Sequence, residues 1–226
     1  NFYVAVQPQI TKSYASNNVN ESHDLVLRSS RLAFLLLTAM IVPLITETEF
    51  VLQLWLKEVP AHTATFVQII LICSLIDSFS SPLVYLMLAT GKIKRYQIVV
   101  GLFNLLNFPV AWFILYCGGS PELAQFSIIF FAIGALFLRV SMLRLMTQFP
   151  VREFFLSTVM RCLVIMLICI SISYIIASFC EIGLLSFLFN LGVTELSLCS
   201  LVYFVGVNVG EREFIKRKIT VILRRR

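Results

Sequence analysis

Charged residues are scarce in this sequence. Only 13% of the 226 residues are Asp, Glu, Lys or Arg, whereas soluble domains carry about 25%. Hydrophobic residues make up 59%, and the mean hydropathy is +0.91. A chain with so few charges cannot cover itself with a water-soluble surface, which excludes a soluble globular domain. The composition therefore predicts an integral membrane protein.

Groups of metal-binding and catalytic residues are also missing. The six cysteines form no CxxC pair and have no histidine near them, so they are expected to fill apolar helix faces. Neither His23 nor His62 has a partner carboxylate or cysteine cluster at ligand spacing, so both are expected to be solvated residues of turns. No glycine-rich phosphate loop and no Ser/His/Asp set is present. The sequence therefore predicts no enzyme activity, no cofactor and no metal site.

Apolar runs of about 20 residues, the length that crosses a bilayer, recur along the chain. Residues 1–13 are expected to be the end of a preceding helix, residues 14–209 a membrane domain, and residues 210–226 a basic cytoplasmic tail. The spans are predicted at about 27–57, 64–91, 95–117, 122–146, 153–179 and 183–209. Short connections make successive helices antiparallel neighbours, so the predicted fold class is an all-α polytopic transmembrane bundle.

The basic residues are distributed unevenly between the two sides of this predicted bundle. Of the 18 Lys and Arg residues, fifteen fall in turns or in the tail on one side, and the opposite side has only Lys57. Because basic loops remain in the cytoplasm, both the start of the first span and the carboxy terminus are predicted to be cytoplasmic. This pattern sets topology and does not indicate nucleic-acid binding. Binding of the tail to anionic membrane lipids is an alternative to a plain topology anchor.

One span carries a row of polar side chains in an otherwise apolar segment. Ser74, Asp77, Ser78, Ser81 and Tyr85 have the spacing of a single helix face. Asp77 falls near the bilayer midplane, where an aspartate costs about 2.5–3.5 kcal/mol. It is predicted either to bind substrate or a proton in a transport pathway, or to form a hydrogen-bonded lock between helices.

Four other charged residues lie within or at the ends of predicted spans. Arg139 either extends its guanidinium to the headgroups or lines a cationic cavity. Glu195 is deep enough in the last span to be costly, so it carries the same alternatives as Asp77. Glu47 and Glu49 are expected to be hydrated carboxylates at the outer membrane boundary.

Several segments resemble a known family. These are QPQITKSYA at 7–15, Arg31, ITETE at 45–49 before LWL, and Asp77 to Pro82 leading into ATGKIK at 89–94. They resemble the second half of Wzx-type polysaccharide flippases, members of the multidrug/oligosaccharidyl-lipid/polysaccharide (MOP) exporter superfamily. The resemblance covers most of residues 3–145. It implies that the chain, which opens on Asn1, is a carboxy-terminal half with the helices nine to fourteen of a MATE- or MurJ-like fold.

The resemblance also implies a function. Such a protein moves an undecaprenyl-diphosphate-linked oligosaccharide from the cytoplasmic to the periplasmic leaflet of the bacterial inner membrane by alternating access. The product serves O-antigen, capsule or exopolysaccharide synthesis, with a polysaccharide polymerase as a further partner. Arg31 and Arg139 are implied as ligands of the diphosphate, and Asp77 as a coupling or gating carboxylate.

Two other functions remain open at the level of sequence. A cation-coupled multidrug exporter of the same superfamily would be expected to use acidic and aromatic cavity residues. A membrane-embedded glycan polymerase or acyltransferase is less favoured, because it would need large outer loops that carry acid and base residues.

Overall fold

The computed structural model of the protein describes residues 2–56, 58–179 and 183–206. This part of the chain is all-helical and contains no β-strand. It has six helices that are long and apolar enough to cross a membrane: Val19–Thr46, Thr63–Ala89, Ile93–Tyr116, Pro121–Thr147, Val151–Phe179 and Leu184–Phe204. The predicted all-α class with six spans is therefore confirmed. The predicted tail at 210–226 and the end of the last predicted span lie outside the described residues.

The described residues form ten α-helices and two short π-helical segments; eight of the α-helices and both π-helical segments make up the six spans. In chain order the α-helices are α1 (Phe2–Ala15), α2 (Val19–Thr46), α3 (Thr48–Trp55), α4 (Thr63–Ala89), α5 (Ile93–Leu105), α6 (Asn107–Tyr116), α7 (Pro121–Thr147), α8 (Val151–Glu153), α9 (Met160–Phe179) and α10 (Leu184–Leu201). One π-helix, Phe154–Val159, joins α8 to α9, and another, Val202–Gly206, follows α10.

Helix α2 begins before residue 27, where the first span was predicted to start. The turn that precedes α2 is confined to residues 16–18, with Asn17 in the left-handed conformation at φ 64°. His23, predicted to be solvated in a turn, lies in α2, is only 7% exposed, and places its Nε2 3.3 Å from Oγ1 of Thr147. The polar composition of this segment predicted a turn, but its side chains find partners on the helix itself and on α7.

The first predicted span is divided into two helices at Glu47, whose backbone lies at φ −118° and ψ 34°. Pro43, one turn earlier, has no N–H to continue the helical hydrogen-bond ladder. On either side of Glu47, Thr46 donates to the carbonyl of Val42 at 3.1 Å and Thr48 to that of Leu44 at 2.6 Å. These bonds offer the backbone an alternative to a regular helix, so the segment after the break forms the separate helix α3.

Helix α4 lies at the centre of the bundle, where it packs on α1, α2 and α7. Phe79 of α4 stacks on Phe34 of α2 with ring centroids 4.4 Å apart, and Phe154 meets Phe79 edge-on. The helix ends before Gly91, which adopts a φ of 71° that glycine accepts without strain. These contacts hold the polar face of α4 in a fixed orientation.

Helices α5 and α6 form one span at the edge of the bundle and pack mainly on α7. Their apolar side chains are largely exposed, including Leu102 at 59%, Phe108 at 77% and Trp112 at 58%. Pro109 has no N–H for the carbonyl one turn earlier, which accounts for the break between the two helices. An apolar surface of this kind is suited to contact with lipid chains.

Candidate functional site

Arg139 of α7 joins three helices near the centre of α4. Its Nη1 lies 3.7 Å from Oδ1 of Asp77 and donates to Oγ of Ser80 at 2.9 Å, while its Nε donates to the Tyr96 hydroxyl at 3.4 Å. The Arg139 side chain is only 13% exposed. Its donors are directed at protein groups of α4 and α5, an arrangement that fits the cavity alternative better than extension to the headgroups.

Asp77 is far more exposed than its partner. Its side chain is 61% accessible, although the residue lies near the middle of α4. Lipid chains cannot solvate a carboxylate at this depth. The surface that surrounds Asp77 therefore requires water or a polar partner in the membrane.

The three serines of the predicted polar face are satisfied within their own helix. Ser74, Ser78 and Ser81 each donate to a backbone carbonyl of α4 at distances between 2.6 and 3.4 Å. Ser78 is also buried, at 3% exposure, and therefore lies at the edge of the exposed face. Because serine hydroxyls bond back to the helix in this way, Asp77 is the member of this face whose need for an external partner is greatest.

A tyrosine that sequence reasoning missed completes the backbone bonding of α4. Pro82 has no N–H, so the carbonyl of Ser78, one turn earlier, lacks its helical donor. The hydroxyl of Tyr3 on α1 donates to this carbonyl at 3.2 Å. The proline was a sequence signal for a free carbonyl, but nothing in the sequence identified its partner.

The other predicted charged residues do not join this group. Arg31 lies inside α2, is only 4% exposed, and is not presented on the surface around Asp77. Glu195 is partly buried on α10, which packs on α9 and α2. Of the predicted site residues, the structure brings Asp77, Ser81 and Arg139 to one region and adds Ser80 and Tyr96 to it.

A second polar cluster connects α2, α9 and α10. Asn190 is fully buried; its Nδ2 donates to Oε1 of Glu47 at 2.6 Å, and its Oδ1 accepts from Ser173 at 2.9 Å and Thr194 at 3.1 Å. Thr46 lies 2.8 Å from Ser173 and extends the cluster to the break between α2 and α3. No role was predicted for Asn190, and Glu47 was expected to be a hydrated carboxylate. Glu47 is bonded to the buried amide of Asn190 and also lines a cavity of about 300 Å³, together with Glu49, Gln53 and Gln68.

The first residues of α4 and α7 meet at one end of this helix pair. His62, in the left-handed conformation before α4, contacts the carboxylate of Glu122 in the first turn of α7 through its Nδ1. His62 lies in a turn with its side chain 47% exposed, as expected. Its partner Glu122 is far away in sequence, so spacing along the chain did not identify the contact. Helices α4 and α7 are thus connected at two levels, by His62 with Glu122 and by Arg139 with Asp77 and Ser80.

The described cysteines differ in their burial. Cys73, Cys162 and Cys169 are buried, in agreement with their predicted role as apolar fillers. Cys199 is exposed on α10 and Cys117 in the turn after α6; position 180 lies outside the described residues. Within the described ranges there is no group of three or more His, Cys, Asp or Glu residues that could hold a metal ion.

Comparisons with known protein families, with curated proteins and with solved structures found no match. The class of the protein therefore follows from its own residues. Six apolar spans and a charged pair on α4 and α7 define a multi-pass helical membrane protein with a polar surface inside its membrane-spanning part.

Proposed function

We propose that this chain forms one half of a lipid-linked oligosaccharide flippase of the polysaccharide transport family. The substrate is an undecaprenyl-diphosphate-linked oligosaccharide, which the protein moves from the cytoplasmic to the periplasmic leaflet of a bacterial inner membrane by alternating access. A second six-helix bundle supplies the opposite wall of the pathway. The glycan serves the synthesis of O-antigen, capsule or exopolysaccharide.

The exposed carboxylate of Asp77 carries the proposal. A structural lock would cover both members of an ion pair, because each uncompensated charge is costly in the membrane. Here Arg139 is 13% exposed, but Asp77 is 61% exposed at the middle of an apolar helix. A water-filled pathway beside α4 accounts for this exposure, and transporters place their substrate sites at this depth.

The guanidinium of Arg139 supports a phosphate-bearing substrate. Arginine binds phosphate oxygens through two parallel N–H donors with charge-assisted hydrogen bonds. Ser80 and Tyr96 hold this guanidinium beside the exposed surface. The two hydroxyls do not use all of its N–H donors, so further N–H groups can bind a ligand. Arg139 is thus a fixed cation that can bind an anionic headgroup in the membrane-spanning part.

The distribution of basic residues supports the orientation that we propose. With the basic turns and tail in the cytoplasm, Gly91 and Lys92 at the end of α4 face that compartment. His62 and Glu122 then lie at the periplasmic end of α4 and α7.

Asp77 favours a second candidate, a cation-coupled multidrug exporter. The side chain that is offered to solvent is acidic, and an acidic face is suited to cationic solutes. The two candidates differ in the residue that matters most: a flippase depends on Arg139 to bind phosphate, whereas an exporter depends on Asp77 to bind the drug or the coupling ion.

Transport by the reconstituted full-length protein distinguishes the two. Liposomes receive a fluorescent undecaprenyl-diphosphate oligosaccharide, and its transfer between leaflets is followed by quenching with a membrane-impermeant reagent. We expect Arg139→Gln to slow transfer at least about tenfold, since one charge-assisted contact is lost. Ser74→Ala is the matched control, because the Ser74 hydroxyl is bonded within α4.

Two outcomes contradict the flippase. If the wild-type protein transfers no glycan lipid but extrudes a cationic dye, it is an exporter. If Arg139→Gln and Ser74→Ala both transfer glycan lipid at the wild-type rate, Arg139 is not a substrate ligand.

A further inference from the structure

We propose that the anion site at Arg139 is occupied by the protein's own Asp77, and that the diphosphate of a polyprenyl lipid binds by displacing this carboxylate. This inference rests on the proposed function and deepens it. It makes Asp77 an internal competitor that sets the affinity of the site, a role distinct from that of a structural ion pair.

The groups that hold the Arg139 side chain in place differ from the group that pairs with its charge. Ser80 and Tyr96 accept from the guanidinium at 2.9 and 3.4 Å. Both are neutral hydroxyls, so they hold the side chain in place without compensating its charge. The position of Arg139 between α7 and α4 therefore does not depend on Asp77.

The pairing with Asp77 is loose. Its Oδ1 lies 3.7 Å from Nη1, beyond the range of about 2.7–3.2 Å for an N–H···O hydrogen bond. Asp77 and Ser80 are three residues apart on α4, so one helix face supplies both the anchoring hydroxyl and the competing carboxylate.

Moving Asp77 away from Arg139 costs the protein little free energy. The side chain is already 61% exposed, so turning away from Arg139 leaves it in the same wet surface. A diphosphate brings more negative charge and oxygen atoms in the geometry that binds both N–H groups of a guanidinium. The exchange thus replaces a weak pair with a stronger one and buries no unpaired charge on Arg139.

Ligand affinity tests the inference directly. Full-length protein in phosphatidylcholine nanodiscs is titrated with farnesyl diphosphate, with inorganic pyrophosphate and with farnesol, which lacks phosphate. We expect Asp77→Asn to bind both diphosphates at least roughly tenfold more tightly, because a competing charge within about 4 Å is removed. Asp77→Glu keeps the charge and should retain the wild-type affinity, as should the neighbouring Ser74→Ala. Farnesol should bind all variants alike.

The direction of the change separates this role from a structural one. A variant that merely loosened the α4–α7 contact would bind the diphosphates more weakly. Equal or weaker binding by Asp77→Asn overturns the inference, and Asp77→Ala repeats the test without the new amide. If affinity is unchanged while glycan-lipid transfer remains intact, only the displacement is refuted. If Asp77→Asn binds more tightly but the wild-type protein transfers no glycan lipid, the flippase is refuted and the anion site stands.

Discussion

The hydroxyl of Tyr3 on α1 donates to the backbone carbonyl of Ser78 on α4, across a distance of 3.2 Å. This carbonyl is the one that Pro82 leaves without a helical donor. Helix α1 thus supplies the hydrogen-bond donor that the central helix α4 lacks, at the residue next to Asp77.

The Tyr3→Phe variant should be less stable than the wild type by about 0.5–1.5 kcal/mol, since a partly buried carbonyl loses its donor. Pro82→Ala restores an N–H at that position, so Tyr3→Phe should cost less in the Pro82→Ala background. Thermal unfolding in detergent measures both effects as a double-mutant cycle. Tyr85→Phe is the control, because the Tyr85 ring contacts Tyr3 but its hydroxyl makes no described hydrogen bond to this carbonyl. Equal costs of Tyr3→Phe in the two backgrounds would contradict the role assigned to Pro82.

Arg139→Ala should lower stability by about 2–3 kcal/mol, because Ser80 and Tyr96 lose their shared donor and α4, α5 and α7 lose a common contact. The exposed Arg144, five residues further along α7, is the matched control; Arg144→Ala should change stability by less than about 0.5 kcal/mol. Chemical or thermal unfolding of the purified variants provides the comparison. Similar losses for both arginines would show that Arg139 has no special structural role.

Asn190→Ala should also destabilise the protein, by about 2–3 kcal/mol. The substitution removes the donor to Glu47 and the acceptor of Ser173 and Thr194, all at a fully buried position. Asn104→Ala, on the exposed face of α5, should have almost no effect. An Asn190→Ala protein that unfolds at the wild-type temperature would refute the buried network between α2, α9 and α10.

The exposed face of α5 should lie in contact with lipid chains. Two proteins with a single tryptophan test this. One keeps Trp55 at the end of α3 as its only tryptophan, and the other lacks both native tryptophans and carries Leu102→Trp. Bromine near the middle of the lipid chains should quench the fluorescence of the Leu102→Trp protein more strongly than that of the Trp55 protein. Failure of brominated lipid to quench the Leu102→Trp protein would place another protein segment on this face.

The extent of the spans that follow the first could be predicted from sequence, within the described residues, because it depends on local properties. An apolar run must be long enough to cross the bilayer, and Gly91 followed by a basic turn marks the end of α4 within a few residues. The start of α2 was missed for a physical reason as well. Its first residues are polar, and their burial depends on partners such as Thr147, which is remote in sequence.

The candidate site was predicted only in part. Helical spacing identified Asp77 and its neighbours on α4, and the cost of a charge in the membrane identified Arg139. Ser80 and Tyr96 were not identified, because their role depends on how α4, α5 and α7 are rotated about their axes. That rotation is decided by packing between distant residues, such as Phe34 with Phe79, and periodicity alone does not specify it.

The reactivity of a cysteine at position 77 tests most directly whether α4 presents a wet surface inside the membrane. In a background without native cysteines, Asp77→Cys is compared with Leu102→Cys, because both native residues are exposed near the middle of their spans. A membrane-impermeant methanethiosulfonate reacts with the thiolate, which forms in water and not among lipid chains. We predict that Asp77→Cys reacts at least about a hundredfold faster than Leu102→Cys, and that Ser81→Cys on the same face of α4 also reacts. Equally slow labelling of all three positions would contradict a water-lined pathway at Asp77.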